Sequence, residues 1–236
     1  MLPGGSFLNR EESGGNGLLE VGLTGGIASG KSRVDAIMQR CGAVIIDADA
    51  LVHDLLKPGT PQTRQVAAEF GEKFLTADGA VDRRALGARI FRDDPARARL
   101  NAIIHPAVQY QEEEMKEALR HAGGGIVITD AALLVETGRY KTYDRLVVVA
   151  CTRDLQLSRL LARDLDLTVA AAHRRLAAQA PLEDKIALAD YIIETSGSLT
   201  DTTRRAQAVH ALLREDLACK RQGMALPERR RAEEEE

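Results

Sequence analysis

Short, continuously apolar runs alternate with longer stretches of helical periodicity along most of the chain. The apolar runs predict five strands, over residues 18–23, 43–46, 125–129, 145–150 and 191–193. Because these runs do not alternate with polar residues, they are typical of parallel strands covered on both faces. Strands separated by helices then predict an α/β fold with a parallel sheet and right-handed crossovers.

Apolar residues spaced three and four apart predict the helices between these strands. The first helix follows the first strand, with Gly42 as its stop, and carries this spacing at Val34, Ile37, Met38 and Cys41. Pro106 is expected in the first turn of a helix that runs to about His121. Leucines between residues 155 and 161, and the stretch from 170 to 180, predict two more helices.

The segment between residues 55 and 122 contains no convincing strand, which predicts a helical insertion between the second and third strands. Such an insertion would lie over the carboxyl edge of the sheet, where α/β folds bind ligands. Residues 1–17 lack periodicity and are expected to form a flexible extension. Residues 216–236 are expected to form a charged tail, since the chain ends in a basic block followed by an acidic one.

Composition narrows the possible functions of the chain. Its 32 Lys and Arg against 35 Asp and Glu give a net charge of −3, which argues against a general nucleic-acid-binding protein. The three cysteines lie far apart, which predicts buried thiols in a reducing compartment rather than disulfides or a zinc site. The longest apolar run covers only residues 146–151, too few to span a membrane. We therefore expect a cytoplasmic protein without a membrane partner.

Residues 25–32 read Gly-Gly-Ile-Ala-Ser-Gly-Lys-Ser and match the phosphate-binding loop (P-loop) pattern G-x-x-x-x-G-K-[ST]. An apolar strand precedes them and an amphipathic helix follows, so a chance Gly-rich turn is the poorer interpretation. Gly25 and Gly30 are expected to take positive φ values and turn backbone N–H groups towards an anion. Lys31 would supply charge to the β- and γ-phosphates, and Ser32 a hydroxyl ligand for Mg²⁺. The sequence contains no guanine-reading Asn-Lys-x-Asp, which argues against a GTPase.

Three aspartates are candidates for the chemistry at the carboxyl edge. Asp47 and Asp49 follow the second strand, and one of them would act as general base or orient an acceptor hydroxyl. The alternative is a helix cap, and capping by Asp47 with catalysis by Asp49 satisfies both interpretations. Asp130 ends the third strand, where a Walker-B-type acid holds Mg²⁺, although a helix cap is again the alternative.

Two arginines and a histidine are weaker candidates. Arg159 and Arg163 lie four residues apart on one predicted helix. They would clamp the transferring phosphate as lid arginines do, or they form a solvated helix face, which the spacing alone favours. His105 precedes Pro106 and is either a helix-capping residue or a substrate contact.

Together, the order and spacing of these motifs resemble the dephospho-coenzyme A kinase family. The resemblance runs from about Leu19 to about His210. Its markers are the P-loop with the two residues before it, the segments 45–50, 82–87, 90–91, 101–106 and 130–136, the Arg159/Arg163 helix, Gln179, Lys185 and the pair 189–190.

This resemblance implies that ATP phosphorylates the ribose 3′-hydroxyl of dephospho-coenzyme A, giving coenzyme A and ADP. It implies a five-stranded parallel sheet in a nucleotide-binding core (18–54 and 123–215), with a lid (about 153–185) and a helical acceptor-binding insertion (55–122). A monomer is expected.

The resemblance also assigns roles to single residues. Asp49, Lys31 and Arg159 would be catalytic, and the acceptor would contact Asp49, Arg83, His105 and Asp130. ATP would be held by Gly26, Ile27, Ala28, Ser29, Gly30, Lys31, Ser32, Arg33 and Arg163. Ser32 and Asp130 remain the expected Mg²⁺ ligands.

The chain departs from the family pattern at three positions. Ala28 replaces a common glycine, which is tolerated if its φ stays negative. Ala132 stands where proline is usual, so the turn after Asp130 is expected to be less rigid. Thr195 or Ser196 stands in place of a common asparagine, which weakens the case for an adenine contact there.

Two alternatives stay open at this point. Another small P-loop kinase, acting on a nucleoside, nucleotide or related metabolite, would share the loop and differ in its acceptor. A non-catalytic ATP-binding regulator would bind Mg-ATP without any acceptor-dependent turnover.

Overall fold

Five parallel strands form one sheet in the computed structural model, which describes residues 17–90 and 93–228. The strands are β1 (Leu18–Gly25), β2 (Val44–Asp47), β3 (Gly125–Asp130), β4 (Arg145–Ala150) and β5 (Tyr191–Glu194). They lie in the order β2-β3-β1-β4-β5, and all neighbours are parallel. The predicted α/β fold is thus confirmed, and each predicted strand is present within two residues of its expected bounds.

The helices lie between and after these strands. In the described part of the chain they are α1 (Lys31–Arg40), α2 (Ala48–Leu55), α3 (Pro61–Phe70), α4 (Arg83–Ile90), α5 (Asp94–His121), α6 (Arg153–Arg163), α7 (Val169–Ala177), α8 (Leu182–Leu188) and α9 (Leu199–Arg221). The predicted helices over 34–41, 155–161 and 170–180 correspond to α1, α6 and α7. None of the helices in these ranges has the length and apolar content that a bilayer span requires.

The central strand β1 is buried from both sides. Leu19, Val21 and Leu23 are fully buried and pack against α1 and α9 in one core cluster. On the opposite face, residues of β4 form a second cluster with Leu134 and with Leu182 of α8. Burial on both faces explains why the strands read as continuous apolar runs.

The insertion between β2 and β3 is helical, as predicted, and has a core of its own. This core is built from α2 to α5 and contains Leu55, Val66, Leu86, Ile104 and Val108. One expectation within it is wrong, because Pro106 lies inside α5 and not in its first turn. The helix begins at Asp94. Its N-cap is Asp93, which accepts a hydrogen bond from the Ala96 N–H at 2.8 Å. The proline of the first turn is therefore Pro95, near the preferred N1 position.

The ordered body extends further than expected at the C-terminus. Helix α9 continues to Arg221, past the predicted start of a tail at residue 216. Asp216 is fully buried and accepts a hydrogen bond from Arg145 Nε at 2.8 Å, and the carbonyl of Pro227 accepts another from Arg145 Nη2 at 2.6 Å. Residues 216–228 are thus tied to the sheet, while the rest of the predicted tail (229–236) and residues 1–16 of the predicted extension lie outside the described residues.

Candidate active site

The P-loop connects the end of β1 to the start of α1. Gly30 has φ +97° and is the residue from which α1 begins, so its left-handed conformation confirms one of the two glycine predictions. The other is wrong, because Gly25 does not have a positive φ. Gly25 is required for a different reason, since a Cβ there would collide with the carbonyl oxygen of Val149. The motif glycines therefore serve two purposes, a turn and a close approach.

Ala28 adopts φ +58°, and it is the one residue other than glycine with a positive φ in the described ranges. Alanine was expected to be tolerated at this position if its φ were negative, but its φ is positive. A left-handed conformation costs an L-residue about 1–2 kcal/mol. The loop thus holds Ala28 in a strained conformation at the tip of the anion site.

Lys31, Ser32 and Arg33 form the first turn of α1. Ser32 and Arg33 are exposed, and the first turn contains no acidic residue that would compete with an anion. Backbone N–H groups and the positive end of the helix dipole at this turn favour a bound phosphate. The predicted residues 26–33 therefore form the loop before α1 and the first turn of that helix.

Thr195 and Arg159 support the loop from the other side. The buried Thr195 hydroxyl donates to the carbonyl of Ser29 at 2.6 Å, and Arg159 Nη2 donates to the Thr195 carbonyl at 2.8 Å. A cavity of about 280 Å³ lies beside them, lined by Gly30, Arg33, Arg159, Thr195, Gly197, Leu199 and Thr202. Thr195 thus serves the loop itself, a role that the sequence did not reveal.

The structure separates the two predicted lid arginines. Arg159 reaches the P-loop, whereas Arg163 is exposed and its Nε donates to the carboxylate of Asp164 at 2.8 Å. Asp164 also receives Arg175 at 2.7 Å, so Arg163 belongs to a surface ion-pair group at the end of α6. Arg159 therefore contacts the P-loop and Thr195, whereas Arg163 belongs to that surface group.

The segment between α7 and α8 also contacts the loop. The side-chain oxygen of Gln179 accepts a hydrogen bond from the Ile27 N–H at 2.6 Å. The next residue, Ala180, donates its N–H to Glu136 Oε1 at 3.0 Å. The predicted lid is thus joined both to the P-loop and to the loop that follows β3.

A buried lysine fixes the turn after β3. Lys185 is fully buried and contacts Glu136 Oε1 at 2.8 Å and the carbonyl of Ala132 at 3.1 Å. The Ala132 carbonyl accepts a second hydrogen bond from the Thr24 hydroxyl at 3.1 Å. Burial acts to raise the pKa of Glu136, but hydrogen bonds from Lys185 and the Ala180 N–H outweigh it and lower the pKa. These contacts hold a turn that lacks the usual proline.

The two carboxylates after β2 have different local surroundings. Asp47 Oδ1 accepts a hydrogen bond from the Ala50 N–H at 2.9 Å, which confirms Asp47 as the cap of α2. Asp49 does not lie on a strand, because α2 already begins at Ala48 and places Asp49 in its first turn. Its exposed side chain lines a cavity next to the sheet edge.

Asp130 ends β3 in register with Asp47 on one side and Leu23 on the other. No α-helix begins after it within the described residues before Arg153, so the capping alternative is wrong. Burial raises the pKa of Asp130 despite the nearby Lys31. It also raises the pKa of Asp35 on α1, which the neighbouring Asp130 raises further.

The Oδ1 atoms of Asp35 and Asp130 are buried and have no hydrogen-bond partner among the described residues. Carboxylate oxygens without a partner fit a hard divalent cation. The described residues contain no group of three or more His, Cys, Asp or Glu side chains arranged for a metal. Mg²⁺ is commonly bound through one or two carboxylates together with substrate phosphates. Asp35 was not predicted, because only the fold brings α1 beside the end of β3.

A second cavity of about 230 Å³ lies between α2, α5 and the loop after β3. Its polar lining residues are Asp49, Asn101, His105, Thr137 and Arg139, and the remaining ones are apolar. Burial lowers the pKa of His105, and the charge of Arg139 lowers it further. Asp49 and His105, the two residues expected to contact the acceptor, therefore line the same cavity.

Arg83 does not line this cavity. It is exposed at the start of α4, with Nη1 at 3.0 Å from Nδ1 of His53. His53 lies one helical turn after Asp49 on α2, so Arg83 reaches the same face of that helix. Arg139, in contrast, lines the cavity and was missed, because nothing in the sequence around it shows a motif.

Comparison with known proteins gives a consistent result. The family model of dephospho-CoA kinase matches residues 19–201. Dephospho-CoA kinase of Geobacter sulfurreducens is 45% identical over 191 residues, which cover 81% of this chain and 96% of the relative. That of Anaeromyxobacter dehalogenans is 44% identical over 194 residues, covering 82% and 92%.

A solved structure of similar fold is the dephospho-CoA kinase from Campylobacter jejuni. Its TM-score is 0.62 at 26% sequence identity, and the match covers 83% of this chain and 97% of that chain. A crystal structure from Thermus thermophilus is similar with a TM-score of 0.69 at 29% identity, covering 84% and 97%.

Proposed function

The chain belongs to the dephospho-CoA kinase family, and from that membership we propose how its own residues phosphorylate the ribose 3′-hydroxyl of dephospho-coenzyme A with ATP. This reaction gives coenzyme A and ADP and completes coenzyme A synthesis. The observation that carries the proposal is the position of the two sites. The P-loop follows β1 and the Asp49 cavity follows β2 and β3, at the same carboxyl edge. Donor and acceptor sites therefore adjoin.

We propose Asp49 as the general base. Its carboxylate, exposed in the first turn of α2, would accept the proton of the 3′-hydroxyl as that oxygen forms a bond to the γ-phosphorus of ATP. The bond between the γ-phosphorus and its bridging oxygen breaks, and ADP leaves. His105 would line the site beside the ribose, Asp130 would face it from the end of β3, and Arg83 would contact the acceptor from outside the cavity.

The nucleotide is assigned to the P-loop and its supports. Lys31 and the backbone N–H groups of residues 26–33 would hold the phosphates, as the helix dipole of α1 favours. Arg159 keeps the loop in place through Thr195 and would face the developing charge. Arg163 would join only if it left Asp164, because it is paired there.

Mg²⁺ is assigned to Ser32 and Asp130, with Asp35 beside them. The buried carboxylate oxygens without a partner in Asp35 and Asp130 fit such an ion. When bound, Mg²⁺ would neutralise part of the negative charge of the phosphates.

The domain assignment follows from these roles. We propose that residues 55–122 bind the acceptor, because their helix α5 contributes His105 to the cavity. We also propose a cytoplasmic location, which the three free thiols of Cys41, Cys151 and Cys219 support. A monomer without a nucleic-acid or membrane partner stays a prediction.

A coupled assay of ADP release tests the proposal. Mg-ATP is supplied with dephospho-coenzyme A, with AMP, with adenosine or with no acceptor, and each series is repeated with EDTA. We expect turnover with dephospho-coenzyme A that stops when Mg²⁺ is chelated. Faster turnover with AMP or adenosine would favour another small-molecule kinase. ATP binding without acceptor-dependent turnover would favour a regulator.

A further inference from the structure

The cavity that contains Asp49 and His105 is called the acceptor cavity below. Among the described residues that line it, Arg139 is the one with a full positive charge. The other basic side chain there is His105, whose pKa is lowered by burial and by the charge of Arg139, which favours its neutral form. Arg139 begins the short 3₁₀ segment Arg139–Thr142, directly after Gly138, which has a left-handed φ of +72°. The rest of the lining is apolar apart from Asp49, Asn101 and Thr137. Among the described residues that line this cavity, an anionic group of the acceptor therefore has one positively charged partner.

The guanidinium of Arg139 is held from one side. Its Nη2 donates to Glu112 Oε2 at 2.5 Å and lies 3.4 Å from the Tyr143 hydroxyl. Glu112 is only 3% exposed, so it forms a fixed, water-poor anchor on α5. The remaining Arg139 nitrogens donate to no group in the part of the chain that the structure describes. A guanidinium has five N–H donors in a rigid plane, and those of Nε and Nη1, which neither Glu112 nor Tyr143 uses, stay available to a ligand.

The acceptor offers a group of matching chemistry. Dephospho-coenzyme A carries a diphosphate between its adenosine and its pantetheine arm, and adenosine alone has no charge. Arginine binds phosphate oxygens through paired, charge-assisted hydrogen bonds. Asp49 and Arg139 line one small cavity, so an acceptor whose 3′-hydroxyl meets Asp49 lies within reach of Arg139.

We propose that Arg139, positioned by Glu112, binds the diphosphate of the acceptor and selects dephospho-coenzyme A over uncharged adenosine. This inference rests on the proposed function. Arg139 is a specificity-determining residue in this role, and Glu112 is a positioning residue that acts through it. A structural role alone, in which Arg139 only neutralises the buried Glu112, predicts lost stability without any change in acceptor preference.

The test compares Arg139→Gln and Arg139→Lys with Arg120→Gln. Arg120 is a matched control, because its side chain is 19% exposed and ion-paired, as that of Arg139 is 22% exposed and ion-paired, and it does not line the cavity. The measured quantities are the KM values for dephospho-coenzyme A and ATP, kcat, and the inhibition constant of adenosine against dephospho-coenzyme A. Melting temperatures of all variants are recorded first.

For Arg139→Gln we expect the KM of dephospho-coenzyme A to rise about tenfold to a hundredfold, the scale of one lost charged hydrogen bond. The KM of ATP and the inhibition constant of adenosine stay within about twofold, since neither ligand places a diphosphate at Arg139. Arg139→Lys restores part of the loss, because a point charge replaces the fork. Glu112→Gln, which leaves the guanidinium without its charged anchor, raises the same KM by less.

An equal rise in the KM of dephospho-coenzyme A and in the inhibition constant of adenosine would overturn the proposal. A change confined to the KM of ATP, or no change in any of these constants, would also overturn it. If Arg139→Gln does not fold, Arg139→Lys is used in its place. The proposal then requires that the KM of dephospho-coenzyme A rises relative to the inhibition constant of adenosine. The proposed function fails separately, since in that case the unmodified protein itself shows no turnover with dephospho-coenzyme A.

Discussion

The side-chain oxygen of Gln179 and the backbone N–H of Ile27 are joined by a hydrogen bond of 2.6 Å. The two residues lie 152 positions apart, one between α7 and α8 and the other in the P-loop. Through this bond the position of the lid segment and the conformation of the loop depend on each other, and the strained Ala28 is the next residue after Ile27.

Replacing Gln179 by Leu leaves the Ile27 N–H without an acceptor. An N–H deprived of its partner costs about 1–3 kcal/mol, so we expect the KM of ATP to rise about tenfold while kcat falls less. Steady-state kinetics at saturating acceptor measure both values. Gln39→Leu, the same exchange at an exposed position on α1, serves as the control and is expected to leave the KM unchanged. An unaltered KM in the Gln179 variant would remove it from nucleotide binding.

Asp47 and Asp49 form a natural pair for testing the base. Asp49→Asn removes the proton acceptor, and we expect kcat to fall about 10²-fold or more with little change in ATP affinity. Asp47→Asn is the control, because asparagine caps a helix about as well as aspartate and Asp47 acts as the cap of α2. Turnover rates and the dissociation constant of ADP distinguish the two variants. Similar kcat values for both would argue against a base at Asp49.

Replacing Ala28 by Gly relieves the left-handed strain in the loop. We expect the free energy of unfolding to increase by about 1 kcal/mol, because glycine adopts this conformation without a Cβ penalty. Urea unfolding without nucleotide measures the change. The matched control is Ala208→Gly on the exposed face of α9, where the same exchange should destabilise the protein by about 1 kcal/mol. An increase in the free energy of unfolding for Ala28→Gly, together with a decrease for Ala208→Gly, is the result that identifies strain at Ala28.

Lys185→Met breaks a buried ion pair. We expect a loss of about 2–3 kcal/mol in stability at pH 7, below the full cost of an isolated buried charge because Glu136 keeps some contact with water. Lys57→Met removes an exposed pair with Asp54 and should cost less than about 0.5 kcal/mol.

The loss should depend on pH in a defined direction. The pKa of Glu136 is lowered in the folded protein, so its pairing stabilises the protein above about pH 4–5 and is lost as the pH falls through the folded pKa. The difference between unmodified protein and Lys185→Met should therefore shrink between pH 7 and pH 3.5 in urea titrations. A difference that is constant over this range would mean that packing, and not charge, carries the contribution of Lys185.

The sheet and the P-loop could be predicted because they leave local signals. Continuous apolar runs identify strands that are buried on both faces, and the loop motif requires its glycines and its lysine within eight residues. Helix α9 was not predicted, although Ser198 and Asp201 form a capping box at its start, and its inner face includes the polar residues Thr202, His210 and Asp216. These residues interrupt the apolar periodicity on which the prediction of a helix depends.

The candidate site was predictable only where one segment supplies the chemistry. Asp49 and His105 follow from family motifs, but Arg139 lines the cavity from a short 3₁₀ segment that no sequence pattern marks. Asp35 lies on the predicted first helix, and only the register of β3 beside β1 brings Asp130 next to it. The φ of Ala28 depends on the closed geometry of the whole loop. Contacts between distant segments decide these features.

The place of β1 at the centre of the sheet bears on how the chain folds as it is synthesised. Leu18 pairs with Gly125 and Val21 with Arg145, so both edges of β1 stay open until β3 and β4 leave the ribosome. The helical insertion, which has its own core, is complete before either strand exists. Helix α9, the last large cover of β1, comes from the end of the described chain. Until β4 has been synthesised, the protein therefore leaves an edge of the strand that leads into its P-loop open to pairing with other chains.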